Sequence, residues 1–115
     1  MTEIRLLYAG NALKGYEVSG HAGAGIEGND LVCAAVSFLA TTCANALETV
    51  ALVKPEISQG DGELAVTLPE SQMNPGAIVI LETFRQGARD LEDAYPRNVR
   101  LHDQAPDKKR RTPDA

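Results

Sequence analysis

Between Leu31 and Val53 the chain carries apolar side chains at helical spacing: Val32, Ala35, Val36, Leu39, Ala40, Cys43, Ala46, Leu47 and Val50. That band covers well over half of a helix's circumference, so the spacing predicts a long helix buried on more than one face. Either two layers of the fold sandwich it or a second subunit does. The polar exceptions Ser37, Thr41, Asn45 and Glu48 gather on the side that also carries Cys33. Asp30 is placed as the N-cap, because its carboxylate accepts from the open N–H groups of a first turn. Lys54-Pro55 is the expected stop. No run approaches the ~20 apolar residues that cross a bilayer, so no membrane partner is expected.

The remaining elements arrange themselves around this helix. Residues 2–9 read as a strand, Gly10-Asn11 as a turn, and residues 13–20 as the returning strand. Residues 22–30 hold Gly23, Gly25 and Gly28 without periodicity and read as a loop. Residues 56–59 and 62–68 suggest a hairpin around Gly60-Asp61-Gly62, with Leu64, Val66 and Leu68 alternating inward. Asn74-Pro75 opens a second helix over about 75–95, where Ala77, Leu81, Phe84, Ala88, Leu91 and Tyr95 keep one apolar stripe. Residues 97–103 read as a last short strand. The order β-β-α-β-β-α-β describes a single α+β domain over 1–103, a mostly antiparallel sheet with two helices packed on one face. One sheet face and part of the first helix then need cover, which argues for a homodimer.

Charge separates body from tail. Residues 1–103 hold seven basic and fourteen acidic groups, whereas 104–115 are net positive, with Lys108-Lys109-Arg110-Arg111 and two prolines. The tail reads as disordered. An acidic body speaks against direct nucleic-acid binding, which rests on neutralising phosphates. The start, Met1-Thr2-Glu3-Ile4-Arg5, lacks the basic and apolar segments of a secretory signal. Cys33 and Cys43 stand about 15 Å apart on one helix, too far for a bridge that needs Cα atoms within about 7 Å. A reducing cytoplasm is the expected setting.

Cys33 is the residue with chemistry to offer. It falls in the first turn after Asp30, where open N–H groups and the helix dipole favour a thiolate. His21 ends a strand, and the glycine loop between them can fold back to bring imidazole to sulfur. Such a pair suits nucleophilic acyl transfer. Ser37 lies one turn on, and Asp30 is close enough to orient either partner. Each residue also has an ordinary reading: Cys33 and Cys43 as small core residues, His21 as a turn residue, Asp30 as a cap, Ser37 as part of a polar stripe. No phosphate-binding glycine pattern is present. A zinc site wants at least three ligands where Cys33 and His21 supply two, so no metal and no cofactor is expected.

The segment Gly20-His21-Ala22-Gly23 followed by Gly28-Asn29-Asp30-Leu31-Val32-Cys33-Ala34-Ala35-Val36-Ser37 resembles the signature of the ribosomal-processing cysteine protease Prp family. The opening hairpin, alanine-rich helix, Gly-centred hairpin and final helix match that family's layout over roughly residues 2–100. The resemblance implies a homodimeric cytoplasmic endopeptidase, a thiol protease acting in ribosome biogenesis. Its substrate would be a precursor of large-subunit ribosomal protein number twenty-seven, whose N-terminal extension it removes. His21 matches the family's catalytic histidine and Cys33 its nucleophile; Asp30 and Ser37 match assisting positions. Gly23, Gly25 and Gly28 fall in a substrate-gating loop. The small residues Ala24, Gly25 and Ile26 depart from the family pattern, as does the long basic tail. The competing expectation is a non-catalytic dimeric ribosome-associated binding module, with Cys33 in the core.

Overall fold

Alternating buried and exposed side chains make Thr2–Ala9 the strand β1, with Thr2, Ile4 and Leu6 turned inward. In this computed structural model residues 1–20 and 29–104 are described. Strand β2 (Ala12–Ser19) returns antiparallel, and Ala9 pairs Ala12 across the two-residue turn Gly10-Asn11. Gly10 has φ 62°, a left-handed conformation that glycine adopts without strain. Leu7 pairs Gly15 while Tyr8 pairs Leu13, so Lys14 is an extra residue, a β-bulge. The bulge lets Leu13 face inward along with Tyr16 and Val18.

Helix α1 (Asn29–Thr49) follows, then the hairpin β3 (Glu56–Gly60) and β4 (Glu63–Thr67), closed at Asp61-Gly62. After a single 3-10 turn (Glu70–Gln72) come helix α2 (Pro75–Ala94) and strand β5 (Val99–His102). Asn74 caps α2, its Oδ1 accepting from the Ala77 N–H at 2.7 Å, with Pro75 in the first turn as expected. The sheet order is β3-β4-β2-β1-β5, antiparallel except for the parallel β1–β5 pair. This is the α+β architecture that the hydrophobic pattern predicts.

The core lies on one side of the sheet. Ile4, Tyr16, Val18, Val66 and Val99 of the strands meet Val36 and Leu47 of α1 and Leu81 and Phe84 of α2, all buried. The Tyr16 ring stacks on Phe84 with centroids 3.6 Å apart, and its hydroxyl donates to the Ala40 carbonyl at 2.7 Å. Gly15 is obligatory: a Cβ there would stand 2.1 Å from the Val66 carbonyl oxygen of the neighbouring strand.

Four expectations change. Helix α1 includes Asn29 and Asp30, so Asp30 is not the residue preceding the helix. The helix ends at Thr49 rather than Val53: Leu52 turns left-handed at φ 61°, and the Ala51 and Val53 N–H groups bond back to Ala46 and Leu47. The outer sheet face needs no cover, because Arg5 faces Glu17 at 3.9 Å and His102 meets Glu3 at 2.7 Å there. By length and apolarity Leu31–Thr49 also qualifies as a membrane span, contrary to the sequence reading. Core residues such as Val36, Ala40 and Leu47 account for part of that apolarity, and the exposed Leu31 and Phe38 add to it. The loop glycines Gly23, Gly25 and Gly28 lie outside the described residues, and so does the basic tail from Ala105 onward.

Candidate active site

Cys33 is the fifth residue of α1 rather than the third, because the helix includes Asn29 and Asp30. Helical side chains lean back toward the N-terminus, so its sulfur lies over the preceding turn. Cys33 is half-buried and Cys43 is buried, and neither is in a disulfide. Burial pushes the Cys43 thiol up, away from the reactive thiolate form. The structural reading of Cys43 holds.

Sequence reasoning missed one contact. The Thr2 hydroxyl, at the inward-facing start of β1, lies 4.0 Å from the Cys33 sulfur. The alternation Thr2-Ile4-Leu6 signals that Thr2 faces the core. A partner 31 residues away is not visible from spacing alone. Gly20 closes the same end of the sheet. Its N–H donates to the Gly62 carbonyl at 3.2 Å, and its φ is 87°. A Cβ at Gly20 would stand 2.6 Å from the Met1 carbonyl oxygen. The chain therefore leaves β2 packed against the residue that precedes Thr2.

Ser37 lies one turn beyond Cys33, half-buried, as its spacing predicts. It lines a cleft with Ala40 and Thr41 of α1 and Gln59, Gly60 and Glu63 of the β3–β4 hairpin. His21 lies outside the described residues, and Asp30 is described in its backbone alone. The second histidine of the chain, His102, stands on the outer sheet face beside Glu3. The sheet separates it from Cys33. Among the described residues no group of three His, Cys, Asp or Glu side chains is placed to hold a metal.

A half-buried thiol near the start of a core helix, on a mixed sheet with both helices on one face, is an arrangement suited to a small cysteine peptidase. A family model described as Cysteine protease Prp matches residues 1–100. The chain belongs to that family and is a cysteine protease. It is 30% identical over 87 residues to the ribosomal processing cysteine protease Prp of Staphylococcus aureus, covering 74% of this chain and 81% of the relative. A crystal structure of the S. aureus protease in complex with a substrate peptide is similar at TM-score 0.80 and 25% identity. The likeness spans 89% of this chain and 98% of that one. The S. aureus protease with a covalently linked product peptide gives TM-score 0.77 at 26% identity, with the same coverage. A Streptococcus mutans protein of solved structure gives TM-score 0.77 at 30% identity, over 89% and 92% of the two chains. Membership of a protease family decides against the non-catalytic binding module.

Proposed function

We propose that this protease removes a short N-terminal extension from the precursor of large-subunit ribosomal protein number twenty-seven, with Cys33 as nucleophile and His21 as general base and acid. The observation that carries the reading is the contrast between the two sulfurs. A cysteine protease needs an accessible thiol, and of the two cysteines Cys43 is buried. His21 is the histidine that the family resemblance points to, and the placement of His102 beside Glu3 on the outer sheet face is consistent with it. The ribosomal substrate is supported by the names of the S. aureus relatives.

The Cys33 thiolate attacks the scissile carbonyl, forming the carbon–sulfur bond. The oxyanion takes hydrogen bonds from backbone N–H groups. The His21 imidazolium gives its proton to the departing amine as the carbon–nitrogen bond breaks. Neutral His21 then takes a proton from water, whose oxygen displaces sulfur and regenerates the thiolate. Asp30 and Ser37 assist by orienting the pair. The segment with Gly23, Gly25 and Gly28 contributes to gating of the peptide substrate.

The enzyme acts in the cytoplasm as a homodimer. The exposed apolar side chains Leu31 (70%) and Phe38 (73%), two turns apart on one line of α1, support pairing with a second copy. Incubating the extended ribosomal precursor with wild-type and Cys33→Ala protein tests the activity. The wild type trims the precursor and the variant leaves it intact. Trimming by Cys33→Ala would overturn the assignment.

A further inference from the structure

We propose that Thr2 is a positioning residue for the Cys33 thiol, its hydroxyl serving as a donor that favours the thiolate and aims it toward the end of β2. The inference rests on the reading of Cys33 as nucleophile. Thr2 is 3% exposed, and among the described residues it is the buried polar side chain of the core. A hydroxyl so far from water needs a partner, and among the described residues the Cys33 sulfur at 4.0 Å is that partner.

The backbone beneath that hydroxyl is held from two sides. The Thr2 N–H donates to the Asn98 carbonyl at 2.7 Å, and Thr2 pairs Val99 in the parallel β1–β5 ladder. Gly20 packs on the Met1 carbonyl beside it. Threonine is also stiff at χ1, so its oxygen has few directions to take.

The direction of the hydrogen bond depends on the sulfur's charge. With a thiol at Cys33, either atom can donate. With a thiolate, the sulfur can only accept, and Thr2 must turn its proton toward it. A donor that serves the charged form stabilises that form. The 4.0 Å separation is long for the thiol and leaves room for the sulfur to close on the hydroxyl when it ionises. Thr2 thus steadies both the charge and the direction of the attacking atom.

The test uses full-length Thr2→Val and Thr2→Ser proteins. The pH dependence of Cys33 alkylation by iodoacetamide is followed by mass spectrometry, together with kcat and KM on the extended ribosomal precursor. Thr2→Val keeps the shape and strand preference and removes the donor. It should raise the alkylation midpoint by about one pH unit and lower kcat about tenfold, with KM unchanged. Thr2→Ser should stay within about twofold of wild type. Should Thr2→Val melt without cooperativity, Thr2→Ala carries the same readouts. A wild-type midpoint and kcat in the donor-less variant would overturn the proposal. So would a Thr2→Ser protein as impaired as Thr2→Val. Cleavage by Cys33→Ala would defeat the nucleophile assignment and leave the midpoint shift standing. An inert Cys33→Ala protein with no Thr2→Val shift would defeat the Thr2 role alone.

Discussion

At the residue scale, the two sulfurs of α1 show how the same side chain acquires opposite fates within ten positions. Cys43 lies among Tyr16, Ala40 and Leu47 in the core, where burial disfavours its charged form. Native protein should therefore take up one iodoacetamide equivalent quickly, at Cys33, and a second only on denaturation. Peptide mapping checks the order, and rapid labelling of native Cys43 would contradict its burial. Gly15 makes an equally local demand. Gly15→Ala would drive a methyl into the Val66 carbonyl at 2.1 Å and force β2 and β4 apart. The expected loss is about 3 kcal/mol or more, read from the urea midpoint.

At the element scale, the strands and α2 were legible because each carries its own punctuation. Gly10-Asn11, Asp61-Gly62 and Asn74-Pro75 mark ends that local backbone chemistry decides. The ends of α1 were not legible, since no glycine marks its close. The chain instead holds Leu52 at φ 61° and 80% exposed, so tertiary packing overrides a local preference. Leu52→Gly should relieve a left-handed strain of about 1–2 kcal/mol. Set against the greater freedom of glycine in the unfolded chain, the net gain is about 0.5–1 kcal/mol, seen as a higher melting temperature.

The end of β5 is fastened to α2 by Asp103, which accepts from Tyr8, Arg85 and Arg89 at 2.7, 2.8 and 3.0 Å. Burial pushes its carboxyl up, but the three donors together outweigh burial and hold it below the usual carboxylate range. A depressed carboxylate contributes stability that is present above the ordinary aspartate value of about 3.9 and lost as pH falls through its folded value. Asp103→Asn should cost about 2 kcal/mol at pH 7 and less in acid. Urea unfolding at the two pH values measures it. An equal loss at both would exclude the carboxylate as the cause.

At the scale of the whole molecule, the sheet presents its charged face outward and leaves its apolar excess on α1. The sequence pattern shows that excess but cannot say which face remains open once the core is packed. The structure leaves Leu31 and Phe38 in the open and relieves the sheet of any need for cover. Sedimentation equilibrium should find a dimer of the 12.3 kDa chain, and Phe38→Glu should yield a folded monomer. A monomeric wild type would refute the pairing. Thr2 meeting Cys33 is the other feature that spacing could not reveal, because it joins the first strand to a helix beyond an intervening strand.

The account turns on an imidazole from His21 holding the Cys33 sulfur in its reactive form. The most direct measurement is the pH midpoint of Cys33 alkylation in wild-type and His21→Ala protein. The wild type should show a lower midpoint than the variant, whose sulfur has lost the imidazole. An unchanged midpoint on removing His21 would contradict the account.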